Sequence, residues 1–111
     1  MQTYVDTLRR LEEINLLKPN WNENGAEPLN PDIRHRTESI LKDLPIQPRI
    51  YPLSDGGLQL EFHGNKSYIE LDVSKPETAG LFVAQDNTAK YSAMIPFTAD
   101  AVKEVLKKYY C

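Results

Sequence analysis

Polar residues at alternate positions between 59 and 72 supply the side chains of this sequence that are best suited to chemistry. Three carboxylates and one histidine within reach of one another can bind a metal ion or transfer protons. The same alternation is also the ordinary pattern of an antiparallel sheet with one face in water. We therefore favour a solvent-exposed acidic face that binds Lys or Arg side chains of a partner, with no metal and no cofactor. The residues of this predicted face are Gln59, Glu61, His63, Tyr68, Glu70 and Asp72.

A β-hairpin must hold these residues together. Gly64-Asn65 is typical of a two-residue hairpin loop, and such a loop would pair His63 with Lys66 and Glu61 with Tyr68. In that register Glu61 and Glu70 are diagonal neighbours, about 7–8 Å apart, which is loose for a metal site. Apolar residues alternate with polar ones along both predicted strands, so the turn and the pattern agree.

A second feature is the loop over residues 20–30, which contains the single tryptophan of the chain. A large aromatic ring in a loop rich in Asn, Gly and Pro usually anchors that loop against other parts of the structure. We predict that Trp21 is this anchor and that Asn24-Gly25 forms a turn, since both residues tolerate positive φ. Whether Trp21 packs within the domain or contacts a partner stays open.

Periodicity predicts the elements that position these residues. Helices are expected over 3–17, 31–44 and 99–110, and short strands, including 49–53, 81–85 and 90–95, fill the region between the last two helices. In the first helix we expect an inward stripe with Tyr4 and Ile14 at its edges, formed by Val5, Leu8, Leu11 or Glu12, and Leu16. The order predicts an α+β fold, with an antiparallel meander of four to five strands and all helices on one face.

Length and composition bound the function. The 111 residues make one domain, residues 1–111, and the formal net charge of −3 disfavours direct nucleic-acid binding. The single cysteine, Cys111, forms no intramolecular disulfide, and no stretch is apolar enough for a signal peptide or a membrane span. We expect a cytoplasmic protein. The chain has no GxSxG, CxxC, HExxH or P-loop motif, so we expect a protein that is not an enzyme.

Three stretches together resemble a group of small bacterial and mobile-element proteins. They are residues 17–28 around the Trp–Gly–Ala–Pro loop, Asp43-Leu44-Pro45, and Asp55-Gly56-Gly57-Leu58-Gln59-Leu60-Glu61-Phe62. Glu23-Asn24 departs from the pair that is commoner in that loop. The resemblance implies a bacterial, phage or plasmid origin and an α+β fold, and it transfers no catalytic residues. Some small acidic proteins of mobile elements inhibit defence nucleases or act as antitoxins, which is an analogy between classes only.

Three hypotheses follow. The first is a binding module that covers a basic surface of a larger bacterial protein, such as a CRISPR effector or a toxin. The second is a small metal-dependent or acid/base enzyme that uses Glu61, His63, Glu70 and Asp72. The third is a homo-oligomer, such as a homodimer, that pairs through an exposed edge strand near Ile50 or Lys90.

Overall fold

The computed structural model describes residues 2–111, which fold into three helices and five strands. The elements follow the predicted order and confirm the α+β class. Helix α1 starts soon after the chain begins, α2 precedes the sheet, and α3 closes the chain. The bounds are α1 Tyr4–Asn15, α2 Pro31–Leu41, β1 Arg49–Pro52, β2 Leu58–His63, β3 Ser67–Val73, β4 Thr78–Gln85, β5 Thr88–Pro96 and α3 Ala99–Tyr109.

The five strands form one antiparallel meander in the order β1-β2-β3-β4-β5. A two-residue turn joins β4 to β5 through Asp86 and Asn87, whose φ angles are +50° and +62°. Burial alternates along β2, β3 and β4, so one face of the sheet is covered and the other is open. The helices supply the remaining core. Core residues of the covered face include Ile50, Leu58, Leu60, Phe62, Ile69, Leu71, Val73, Leu81 and Val83.

Side-chain caps fix where the helices begin. The Asn30 side chain accepts hydrogen bonds from the backbone N–H groups of Asp32 and Ile33, and Pro31 takes the first helical position. Thr98 caps α3 in the same manner through the N–H of Ala101. These two N-caps are the predicted ones, and they set the entry of α2 and α3 onto the sheet.

The predicted inward stripe of α1 is correct at Leu11 and wrong at its two ends, and Ile14, predicted at its edge, belongs to the buried side. Val5 and Leu16 are 60% and 69% exposed, whereas Thr7, Leu11 and Ile14 are buried. Both sets have the spacing of a helical face, so period alone does not choose between them. The hydroxyl of Thr7 donates to the carbonyl of Thr3 at 3.0 Å, which satisfies this polar group inside the core.

The predicted register of the β2–β3 hairpin is also wrong, by two residues. His63 lies opposite Tyr68 and Glu61 lies opposite Glu70. A shift of two residues keeps every side chain on its own face, so the hydrophobic alternation fits both registers equally well. The backbone N–H of Gly64 donates to the carbonyl of Ser67 at 2.9 Å, which leaves Asn65 and Lys66 at the tip of the turn.

Contacts from distant parts of the chain hold this turn. The N–H of Lys66 donates to the backbone oxygen of Cys111 at 3.0 Å, and the carbonyl of Lys66 accepts from Asp86 at 2.9 Å. The N–H of Cys111 in turn donates to the hydroxyl of Ser67 at 3.0 Å. A Cβ atom at Gly64 would collide with the Cys111 oxygen, so the close approach requires glycine. The register of the hairpin therefore depends on contacts with Cys111 and Asp86, which the sequence of the hairpin alone does not predict.

Candidate functional site

The six predicted site residues all lie on the uncovered side of the sheet, which we call the open face. They are Gln59, Glu61 and His63 on β2 and Tyr68, Glu70 and Asp72 on β3. The two strands place them as three directly opposed pairs: Gln59 with Asp72, Glu61 with Glu70, and His63 with Tyr68. The predicted diagonal arrangement of Glu61 and Glu70 is thus replaced by direct opposition.

Each of the three carboxylates accepts a hydrogen bond from a neighbour on the same face. The Gln59 amide donates to Asp72 at 3.0 Å, and the Tyr68 hydroxyl donates to Glu70 at 2.6 Å. The Nε2 atom of His63 lies 2.9 Å from Glu61. Two of the three donors are neutral groups, so the hydrogen bonds orient the carboxylates without cancelling their charge.

No lysine or arginine between residues 2 and 111 forms an ion pair with these carboxylates. The ion pairs of arginine lie on the helices, and the one ion pair on the open face joins His63 to Glu61. Arg49 stands opposite Glu61 on β1, and the two side chains do not pair. The open face therefore presents three carboxylates that have no lysine or arginine partner within residues 2–111.

Partial burial shifts the protonation equilibria of the central groups. Burial, with added effects from Asp72 and Glu61, raises the pKa of Glu70 above its ordinary value of 4.5, although the hydrogen bond from Tyr68 acts in the opposite direction. Burial and the neighbouring Glu70 raise the pKa of the Tyr68 hydroxyl well above its usual range. The Tyr68 hydroxyl therefore keeps its proton and donates a hydrogen bond to Glu70.

Three further residues belong to the open face and were missed from the sequence. Tyr51 pairs with Gln59, Phe82 with Glu70, and Met94 with Gly80. These side chains are 38%, 37% and 69% exposed. Phe82 and Met94 lie within the predicted strands 81–85 and 90–95, but we predicted no face of the sheet for the residues of these two strands. The acidic centre is therefore bordered by large apolar side chains.

Aromatic rings run across the face beside the carboxylates. The Tyr68 ring meets His63 edge to face at 5.1 Å between ring centres, and it meets Phe82 at 6.3 Å. The row spans β2, β3 and β4. Rings next to carboxylates suit the side chain of arginine, which combines a flat cation with an apolar stem.

A groove of about 910 Å³ opens where β1 begins, next to Glu61 and His63. Asp6, Arg49 and Tyr110 also line it. His63 and Glu61 have the geometry of a hydrogen-bonded acid/base pair, with side chains that are 45% and 16% exposed. Within residues 2–111, no group of three or more His, Cys, Asp or Glu side chains is arranged to hold a metal ion.

The Trp21 loop lies elsewhere. Its backbone bonds to the β1–β2 turn, from Glu27 to Ser54 and from Asn30 to Gly56, each at 2.9 Å. This turn adjoins the start of β2, at the opposite end of the strand from His63. The structure therefore does not place the two groups of predicted site residues in one site.

Trp21 is half-buried, and its indole N–H donates to the carbonyl of Glu27 at 2.9 Å within the same loop. Gly25 has a positive φ of +82° at the predicted turn, and the other positive φ angles of the loop occur at Asn20 and Glu23, at +64° and +58°, and not at Asn24. The reason is that the Asn22 side chain accepts from the N–H groups of both Asn24 and Ala26 and shapes the turn there.

Comparisons with protein-family models, with curated proteins and with solved structures found no match. The resemblance to small mobile-element proteins therefore stays a prediction. No helix formed by residues 2–111 has the length and apolar character needed to cross a membrane.

Proposed function

We propose that this protein is a non-enzymatic interaction module whose open face binds a basic surface of a larger protein. The observation that carries the proposal is the direct opposition of Glu61 and Glu70, with Asp72 beside them and no Lys or Arg paired to any of the three within residues 2–111. Opposed like charges on neighbouring strands are destabilising. An arrangement that opposes folding is typical of residues that serve binding.

The aromatic and apolar border strengthens this proposal. Binding energy at protein interfaces concentrates in aromatic residues that lose their water, and purely electrostatic contacts act more on association rate and specificity. Tyr51 and Phe82 offer such surface, and Tyr68 adds a fixed donor. Arginine side chains of a partner would form hydrogen bonds with the carboxylates and stack on the rings.

Proteins that bind nucleic acid carry basic surfaces of this kind, because they neutralise phosphates. An acidic face of fixed geometry competes for such a surface. The proposal therefore extends to an inhibitor of a bacterial defence nuclease or to an antitoxin that acts in the cytoplasm. This extension depends on the charge of the open face and on the class-level analogy, and it carries no assignment of a particular partner.

The runner-up is an acid/base enzyme, and the observation that favours it is the His63–Glu61 pair at 2.9 Å beside the groove. A carboxylate that orients a histidine is a common catalytic arrangement. The two proposals differ in where a ligand binds. An enzyme's small substrate would occupy the groove, whereas a basic protein would cover β2, β3 and β4 of the open face.

A titration with an arginine-rich peptide, followed by NMR, tests the binding proposal with a defined probe. We expect amide shifts along β2 and β3 that weaken as salt rises and disappear in the variant Glu61→Gln/Glu70→Gln/Asp72→Asn. A matched control, Glu38→Gln/Asp43→Asn/Glu104→Gln, removes the same charge from exposed positions on or next to helices. If the control variant loses the shifts and the open-face variant keeps them, the proposal is wrong.

A further inference from the structure

The two edges of the sheet differ in their free backbone groups. The N–H of Leu53, just after β1, donates to the carbonyl of Gly57, and backbone groups of an antiparallel strand point alternately toward and away from its neighbour. The backbone groups of the alternate residues Pro48, Ile50 and Pro52 therefore point away from β2. Two of these three residues are prolines and have no N–H to offer. Side chains of the N-terminal segment cap two of the three outward carbonyls: Gln2 donates to Pro48 at 2.6 Å and Arg10 to Ile50 at 3.0 Å. The β1 edge therefore offers few free groups for pairing with another strand.

The β5 edge is free. The N–H of Phe97 donates to the carbonyl of Glu77 at 2.9 Å, so the odd-numbered residues 91, 93 and 95 bond to β4. The N–H and C=O groups of Ser92 and Met94 consequently point outward. No side chain from residues 2–111 caps them, in contrast to the edge at β1. Free edges of this kind are templates for pairing with another strand.

We propose that β5 pairs antiparallel with β5 of a second copy of this chain, about a two-fold axis at Ala93. This register places Ser92 of one copy opposite Met94 of the other, and both residues have outward-pointing groups. Two such pairs, related by the axis, give four backbone hydrogen bonds. A register centred one residue later would place Ser92 opposite Pro96, which lacks an N–H.

The side chains favour a second copy as the occupant. Residues 91–95 contain no charged side chain, so self-pairing opposes no like charges. Tyr91, which is 45% exposed, would meet Ile95 of the other copy on the covered side, and Met94 would meet Ser92 on the open side. The irregularity between β4 and β5 occurs at Val83/Ala84, opposite Ala89 to Tyr91, so Lys90 lies outside the paired stretch. The five regular residues are thus self-complementary.

The resulting dimer would have one continuous sheet of twice five strands, with both open faces on the same side. This inference is independent of the proposed binding function, because none of the carboxylates takes part. Together with the proposed binding function, the dimer would be bivalent, since one partner with two basic surfaces could contact two open faces.

The mass in solution tests the proposal. Sedimentation of the wild type over a concentration series should give twice the 12.7 kDa of the chain. Met94→Pro removes an outward N–H without removing a bond to β4, and should give the mass of one chain with an unchanged circular dichroism spectrum. Met94→Thr keeps the N–H and should stay dimeric. A monomeric wild type at every concentration, or a dimer that survives Met94→Pro in folded protein, would overturn the proposal.

A charge pair tests the register itself. Ser92→Glu/Met94→Lys places opposite charges across the axis and should keep the dimer, whereas Ser92→Lys/Met94→Lys places like charges there and should dissociate it at low salt. In a Cys111→Ser background, Ala93→Cys should form a disulfide between copies, since non-hydrogen-bonded antiparallel pairs bring Cα atoms within about 4.5 Å. Equal behaviour of the two charge variants, with no cross-link, would exclude this register.

Discussion

Glu61 and Glu70 face each other across neighbouring strands, and the acceptor of the Tyr68 hydroxyl is the Glu70 carboxylate, at 2.6 Å. Burial and the nearby carboxylates raise the pKa of Glu70, so the folded protein holds this proton more tightly than the unfolded chain does. The stabilising contribution of the protonated form is complete below the ordinary value of 4.5, and it is lost as the pH rises through the folded-state pKa.

Glu70→Gln should therefore stabilise the protein at pH 7. The amide keeps an acceptor for Tyr68 and removes the charge that faces Glu61, which we expect to raise the free energy of unfolding by about 0.2–1 kcal/mol. Below the ordinary pKa the difference from wild type should disappear. Urea unfolding of both proteins at pH 7 and at acidic pH measures this, with the exposed Glu38→Gln as control. A variant that is less stable at pH 7 would contradict this account of the face.

Gly64→Ala tests the turn that sets the hairpin register. The added Cβ would collide with the Cys111 backbone oxygen and lie 2.7 Å from the Ser67 hydroxyl. We expect a loss of about 1–3 kcal/mol in the free energy of unfolding, as for other overpacked sites. Amide exchange of Lys66 and Cys111 should rise with it. Gly80→Ala is the comparison, since a Cβ there has only ordinary contacts, at 3.8 Å. If Gly80→Ala were the more damaging change, the described docking of the C-terminal residues would be wrong.

Trp21→Phe and Trp21→Ala separate the two roles of the tryptophan. The first removes the hydrogen bond to the Glu27 carbonyl and should cost about 1 kcal/mol. The second also removes the half-buried ring and should cost roughly 2 kcal/mol, less than the 3–5 kcal/mol of a fully buried ring. Thermal and urea unfolding measure both. Neither change should alter binding at the open face, because the loop bonds to the β1–β2 turn.

Local signals explain what the sequence predicted well. Asn30 and Thr98 are N-caps because their side chains satisfy free N–H groups in the first turn, a property of the residue and its immediate neighbours. Alternation between Leu58 and Asp72 likewise identified both strands and the side of the sheet on which each candidate residue lies. The alternation of polar and apolar residues was therefore enough to predict which residues of β2 and β3 form the acidic face.

The sequence did not predict which residues of β2 and β3 lie opposite each other, because an alternating pattern fits more than one register of the two strands. A register shift of two residues changes Glu61 from a neighbour of Tyr68 to the direct opposite of Glu70, yet moves no side chain to the other face. The same degeneracy misplaced the stripe of α1, where Thr7 rather than Val5 enters the core. Contacts from residues far along the chain, such as Cys111 at the hairpin tip, fix the register of the hairpin.

Affinity capture from a lysate of bacteria that encode defence nucleases tests the central claim most directly. Three baits are compared: the wild type, the charge-reversed Glu61→Lys/Glu70→Lys/Asp72→Lys variant, and Glu38→Lys/Asp43→Lys/Glu104→Lys, which carries the same charge change on other surfaces. We predict that a stoichiometric, basic, nucleic-acid-binding protein is held by the wild type and the matched control and is lost from the open-face variant. Retention of that protein by the open-face variant, or its loss from the matched control alone, would contradict the claim that the open face is the binding surface.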